Sequence, residues 1–330
     1  MEAPSTPVKT LIFSRNRAMQ LDATLRSFYL HCQDSASANL QILYLATNVQ
    51  NARQYEDLKG SYPAVGFVAQ SIFQQNLEAI LNPYPINSRQ QHRYGLLGKL
   101  NRFHFPPGSF FGKVWKHSFE SFYGQLIRKL IPVPPDDTYI LFLVDDNLFV
   151  RDFSLGNVAR TLKSNSDALG VSLRLGKNTT YCYAHDHAQR PPVFSSQPGG
   201  LLKYDWTAAE YDFGYPLEVS SSVYRAQEIV PLVCGLNLRN PNDLEGYMAS
   251  HSRWFMNKFP CLLCAEKSVT FCNPVNIVQT TTDNRAGTQF FYSIDEMIER
   301  FNRGERIDVG HYAGFTPNAC HQEVELVFKK

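Results

Sequence analysis

Four apolar runs, spaced by amphipathic stretches, narrow what the first 175 residues can become. They are "VKTLIFS" (Val8 to Ser14), "LQILYLAT" (Leu40 to Thr47), "AVGFVAQ" (Ala64 to Gln70) and "TYILFLVDD" (Thr138 to Asp146). A strand without polar alternation reads as buried on both faces, as in a sheet covered by helices on each side. The covering helices are legible: "MQLDATLRSFYLHC" places Leu21, Leu25, Phe28 and Tyr29 on one helical face, and "NARQYEDLKGSYP" and "SIFQQNLEAIL" follow the next two runs. Strands alternating with helices at this spacing predict parallel crossovers. The expected fold is therefore α/β, a doubly wound, mostly parallel sheet flanked by helices.

Further along, "FSLGNVARTLKSN" reads as a helix and "ALGVSLRLG" as a strand, after which Lys177 to Gly214 reads mostly as loop. "RAQEIVPLVCGL" and "PNDLEGYMASHSRWF" predict helices, "SVTFC" and "VNIVQT" strands, and the capping box "SIDE" at Ser293 to Glu296 opens a last helix. The expected organisation is one domain over 1–330, with a first half (1–175), an inserted segment (82–135) and a second half (176–330).

The insertion is unusual in charge. Between Ile86 and Leu130 stand eight Lys/Arg against one acid, Glu120, which leaves 24 basic against 29 acidic residues elsewhere although the chain's net charge is +2. Positive character confined to one segment predicts a local anionic partner, such as a membrane surface, and not a nucleic-acid-coating protein. Trp115, Phe119, Phe122, Leu126 and Leu130 fall on one helical face there, which a core helix explains more simply than a membrane-surface helix, since an apolar stripe is the default for a globular helix. Seven irregularly spaced cysteines predict free thiols and a reducing compartment. Cys261 and Cys264 form a lone CxxC without the second pair a structural zinc site needs. No apolar leader or membrane span is legible, so the expected location is cytoplasmic, in peripheral contact with the inner face of a membrane.

"LFLVDDN" carries the first chemistry. A buried strand ending at Val144 delivers Asp145 and Asp146 to the carboxyl edge of the sheet, where α/β proteins bind ligands. Adjacent carboxylates there can hold a hard divalent cation, Mn²⁺ or Mg²⁺, although Asp-rich turns also occur for turn reasons alone. At the same edge, after the first strand, "FSRNRAM" places Ser14, Arg15 and Arg17 where a diphosphate would sit, and Arg174 in "VSLRLG" reaches it too. Neither GxGxxG nor GxxxxGK[ST] occurs after the first strand, which argues against dinucleotide enzymes and P-loop NTPases. "VDDNLF" lacks the DxDx[ST] spacing of a haloacid-dehalogenase phosphatase.

A first strand running into "SRNRAMQLDATLRS", a second strand "QILYLATN" and an apolar strand ending "VDDN" resemble the nucleotide-sugar half of GT-A glycosyltransferases, family 2-like in particular. The resemblance implies that Asp145 and Asp146 are metal and diphosphate residues, with Asn147 in the motif's third slot in place of the more usual Asp. It also implies a C-terminal His as a further metal ligand, for which "HYAGFTPNACH" offers His311. "YDFGYPLEVSSSVYRAQEI" resembles the stretch before the family's acidic base motif, and "NPNDLEGYM" then supplies Glu245, or second Asp243, as general base. Glu245 also stands three residues after Asn242, so a capping box explains it equally well. Asp212 is a further acid candidate, and Trp206, Tyr211 and Tyr215 are candidates for stacking on sugar faces or for plain packing. His185 and His187, either side of Asp186, lack a third well-spaced ligand.

The expected activity is thus metal-dependent, inverting transfer of a sugar from a nucleoside-diphosphate sugar to a hydroxyl of a glycan or lipid-linked acceptor, as in cell-surface glycan or lipopolysaccharide synthesis. A non-catalytic nucleotide-sugar or glycan-binding protein of the same fold is the alternative. A sugar nucleotidyltransferase would want a glycine-rich loop in place of "SRNRAM".

Overall fold

The computed structural model describes residues 8–81, 134–135, 137–234, 236–278 and 285–330. Among them, nine strands form one sheet: β1 (Val8–Arg15), β2 (Ala38–Leu45), β3 (Gly66–Ala69), β4 (Tyr139–Val144), β5 (Ala168–Ser172), β6 (Ser195–Ser196), β7 (Leu201–Asp205), β8 (Ser222–Arg225) and β9 (Cys261–Ala265). Their order in space is β3-β2-β1-β4-β8-β5-β9-β7-β6. β1 to β4 pair in parallel, as does β5 with β9. β8 runs antiparallel between β4 and β5, and β7 antiparallel between β9 and β6. The sheet is mixed and mostly parallel, flanked by helices on both faces.

The two faces follow from the period of two along each strand. Val8 and Ile12 of β1, and Leu141 and Leu143 of β4, belong to one apolar core with α1 (Ala18–His31), α2 (Val49–Ser61), α4 (Leu155–Ser164) and α7 (Ile294–Asn302). Leu11 and Phe13, with Ile140 and Phe142, belong to the other, covered by α3 (Phe73–Leu81), α5 (Ala226–Val233) and α6 (Pro241–Ser250). Leu11, Ile12, Leu141 and Phe142 are fully buried, and each such side chain contributes about 1.5–3 kcal/mol by leaving water. Two-sided burial is why these strands read as unbroken apolar runs. The Ser293 hydroxyl caps α7 by accepting from Glu296 N–H, as the box there predicts.

Lys177 to Gly214 is mostly loop, as expected, with the short strands β6 and β7 set into it. One expectation needs correction. "VNIVQT" is no strand over its described residues, Val275 to Val278: the ribbon of Thr270–Cys272 with Asn147–Phe149 ends at Cys272, and Val275 N–H turns back to the Asn273 carbonyl. Apart from Pro134 and Pro135, the expected insertion lies outside the described residues. No described helix is long and apolar enough to cross a membrane.

Candidate active site

The parallel register sets Phe13 of β1 against Val144 of β4, so the next residue on each strand, Ser14 and Asp145, meet beyond it. The Ser14 hydroxyl donates to Asp145 Oδ2 at 2.9 Å. That commits its only proton, so Tyr55 Oη, 2.6 Å away, donates to Ser14 and in turn accepts Arg17 N–H at 3.2 Å. Arg15 N–H also donates to Asp145 Oδ2, at 3.1 Å. Asn16, at φ +54°, makes the left-handed turn out of β1, a conformation Asn tolerates better than most residues. Asp145 thereby ties the first βα loop to the end of β4.

Arg17 joins the two carboxylates. Its Nη1 lies 3.1 Å from Asp145 Oδ1 and 3.2 Å from Asp146 Oδ2, while Nη2 donates to the Asn276 carbonyl. Every oxygen of the pair then has a nitrogen or oxygen partner except Asp146 Oδ1, and the Cys272 thiol bonds this carboxylate as well. Burial pushes the Asp146 carboxyl up to about 6, against the pull of Arg17 and with help from Asp145.

The expected third residue of the motif is elsewhere. Asn147 is fully buried, accepts Val144 N–H at 2.9 Å and donates to the Ser220 carbonyl at 2.7 Å. It closes the turn after β4, and its amide oxygen is taken by the main chain, so it is not placed to bind a metal. His311 is exposed and stacks edge-on against Tyr312, away from the cleft. His321 stands in the cleft in its stead, beside Cys272 through a bridge that joins the chain's end to the ribbon next to Asn147. Burial, then Arg174, drives its imidazole down to about 4, so it is neutral at pH 7 with a lone pair available.

The cleft has a volume of about 490 Å³ and runs along the carboxyl edge of β1, β2 and β4. Ser14, Arg15, Arg17, Asp145, Asp146 and Glu245 all line it, so the structure brings together residues far apart in sequence. Glu245 is not a cap. α6 starts at Pro241 and is capped by Asn240, whose side chain accepts Asp243 N–H at 2.9 Å. Asp243 turns to Arg239 at 2.7 Å, a pair that lowers its pKa, and it takes no part in the cleft. Glu245 is left to accept Tyr215 Oη at 3.3 Å and Val219 N–H at 3.2 Å. Burial raises its pKa, partly offset by Arg174.

The other candidates do not line the cleft. Arg174 is buried, donates to Ser220 Oγ at 2.8 Å and faces Glu218 at 3.8 Å. Asp212 exchanges two hydrogen bonds with the side chain of Gln189. Trp206 is core, its indole N–H on the Phe259 carbonyl, and His185 and His187 are exposed around the Tyr211 ring. Sequence reasoning missed Arg285 and Glu323. Arg285 lines the cleft with its guanidinium 4.7 Å from the Tyr183 ring centre. Glu323 clamps the following residues: it accepts from Thr288 N (2.9 Å), Thr288 Oγ1 (2.7 Å), Gln289 N (2.6 Å), Phe290 N (2.9 Å) and the Tyr183 hydroxyl. Although burial works against it, these donors hold Glu323 down to about 2.

No group of three or more His, Cys, Asp and Glu able to hold a metal occurs among the described residues. Asp146 Oδ1 fits a divalent cation, because Mg²⁺ is commonly held by one or two carboxylates and completes its shell from substrate phosphates and water, and the neutral His321 imidazole lines the same cleft.

Fold and cleft define an α/β protein with an acidic pair, arginines and a separate half-buried carboxylate at the carboxyl edge of a mostly parallel sheet. In an alignment 303 positions long that covers 84% of this chain, its sequence is 23% identical to the bifunctional glycosyltransferase pgtA of Dictyostelium discoideum, so the GT-A resemblance of the motifs is met by similarity to a glycosyltransferase. The chain spans 33% of the length of that relative. No protein-family model matches. Solved structures with some likeness include mouse xyloside xylosyltransferase 1 (10% identity, 77% of each chain, TM-score 0.26). Another is the WbbM bifunctional glycosyltransferase (13% identity, 78% of this chain and 38% of that one, TM-score 0.31). At these scores the fold assignment rests on the strand order itself.

Proposed function

We propose that the chain is a metal-dependent glycosyltransferase of GT-A type that moves a sugar from a nucleoside-diphosphate donor to a hydroxyl of a glycan acceptor, with inversion. The observation that carries this reading is that Glu245 and the Asp145–Asp146 pair line one cleft. Glu245 takes the proton of the attacking hydroxyl. Its raised pKa suits a general base better than an ordinary surface carboxylate, and Tyr215 and Val219 fix its orientation. Arg15 and Arg285 line the cleft and offer guanidinium donors to a diphosphate, Arg285 from its pair with Asp186 at 2.7 Å, while Arg17 is taken up by the two carboxylates. Asp146 and His321 would hold Mn²⁺ or Mg²⁺, which when bound offsets the charge developing on the leaving diphosphate. Asp145 acts on the protein side, holding the first loop in place.

Thermal-shift measurements with UDP, GDP, CMP and dTDP compounds, each with and without Mn²⁺, test this reading, because a ligand that binds only the folded chain raises its melting temperature. One nucleotide is expected to stabilise in a metal-dependent way. No shift with any of them would overturn it.

A further inference from the structure

A second groove of about 450 Å³ adjoins the cleft, sharing Asn276, Ile277 and Ala286 with it. We propose that it binds an uncharged sugar residue of the acceptor glycan, an assignment that rests on the glycosyltransferase reading for the word acceptor but not for the sugar.

Four asparagines, Asn16, Asn48, Asn51 and Asn276, line the groove, and no Lys or Arg does so among the described residues. Three of the four are fixed by neighbours. Asn16 exchanges hydrogen bonds with Thr47, Asn48 Oδ1 accepts both N–H groups of Asn51, and Asn276 bridges Gln20 and the Tyr292 carbonyl. Asn51 is 1% exposed and its Oδ1 has no partner. Its amide orientation is set, since Nδ2 must donate to Asn48 Oδ1 at 3.0 Å. The open atom is therefore an acceptor, and a buried polar atom left unpaired costs about 1–3 kcal/mol. It calls for a ligand that donates a hydrogen bond, which a hydroxyl does and a phosphate oxygen does not. The one charged lining residue, Asp295, disfavours an anion as well.

The rim supplies the other half of sugar recognition. Phe291 is 68% exposed and Ile277 46%, large apolar surfaces of the kind that cover the C–H face of a pyranose. Phe291 is presented by design of the loop before it. Gly287 sits at φ +64°, where a Cβ would come within 2.8 Å of the Phe291 ring, and the Glu323 clamp holds Thr288 to Phe290 immediately ahead of it. One clamped loop thus carries Arg285 to the cleft and Phe291 to the groove, which fits a donor phosphate in the first and an acceptor sugar in the second.

Saturation-transfer NMR of the full chain with methyl glucosides, mannosides, galactosides and xylosides, run beside thermal shifts with nucleoside diphosphates, tests the assignment. At least one glycoside is expected to bind, to weaken fivefold or more in Phe291→Ala and in Asn51→Ala, and to leave the nucleotide shift of Phe291→Ala unchanged. Binding of no glycoside, glycoside binding unaltered in Phe291→Ala, or loss of the nucleotide shift in that variant, which would give the groove to the donor's nucleoside, each overturns it. If no nucleotide binds while a glycoside does so through Phe291, the transferase reading falls and the sugar groove stands.

Discussion

The carboxylate of Glu245 accepts the main-chain N–H of Val219 at 3.2 Å, which fastens the first residue after a helical turn to the segment that leads into β8. A carboxylate anchored in this way moves only if the sheet edge moves. Tyr215 holds the other oxygen, so both lone-pair directions are set before a substrate arrives.

Glu245→Gln should keep the fold and nucleotide binding within about threefold while lowering the rate of sugar transfer by roughly 10²- to 10⁴-fold, the range typical of a lost general base. Tyr215→Phe should cost less, because it removes one orienting bond and leaves the base. Donor turnover measured beside nucleotide thermal shifts separates the two effects. Equal rates in wild type and Glu245→Gln would return that residue to a structural role.

Arg17 neutralises two carboxylates that burial has brought together. Replacing it by Ala leaves them uncompensated, and breaking a buried pair from one side typically costs about 3–5 kcal/mol. Urea denaturation should show that loss in Arg17→Ala and a smaller one in Arg17→Lys. Adding Asp146→Asn to Arg17→Ala should recover part of the loss, since it removes one of the two stranded charges. A double variant no more stable than Arg17→Ala would show that the guanidinium acts through its bond to Asn276 alone.

The Asp146 carboxyl titrates higher in the fold than in the unfolded chain, up to about 6 from 3.8. The sign follows: the fold favours the protonated form, so the stabilisation this group gives at low pH is lost as pH rises from about 4 through 6. Asp146→Asn, which carries no charge to bury, should therefore stabilise the ligand-free protein above pH 6 by on the order of 2 kcal/mol, with the gain vanishing near pH 4. Melting curves of both proteins across this window test it, and a gain independent of pH would contradict the argument.

His321 is neutral at pH 7 and Asp146 keeps one open oxygen, so each should supply one bond to a divalent cation. In Mn²⁺ titrations followed by electron paramagnetic resonance in the presence of the stabilising nucleotide, His321→Ala and Asp146→Ala should each weaken binding at least tenfold. His311→Ala should leave it unchanged. Unaltered binding in His321→Ala would remove it from the ligand set.

How much of this was legible depended on whether the deciding contact was local. Strands β1, β2 and β4 announce themselves because two-sided burial writes continuous apolar runs, and Ser293 with Glu296 marks the start of α7 within one turn. The start of α6 was also readable but misread. Pro241 fits the first helical position, where its missing N–H is no loss, and this makes Asn240 the cap in place of Asn242. That correction frees Glu245. By contrast, nothing near His321 distinguishes it from His311, since its place depends on a bridge to Cys272, 49 residues earlier in the chain. The short strands β7 and β8 depend on partners as remote.

The antiparallel β8 between β4 and β5 has a consequence for how the chain is made. On a ribosome, β4 and β5 emerge well before the strand that separates them, so both must wait with unpaired main-chain groups along one edge. Closing such a gap over a long loop is slow, and edges left open in the interval invite pairing with another nascent chain. Assembly of the sheet that supports the acidic pair is therefore completed late in synthesis, and β5 and β7 keep an open edge until β9 appears.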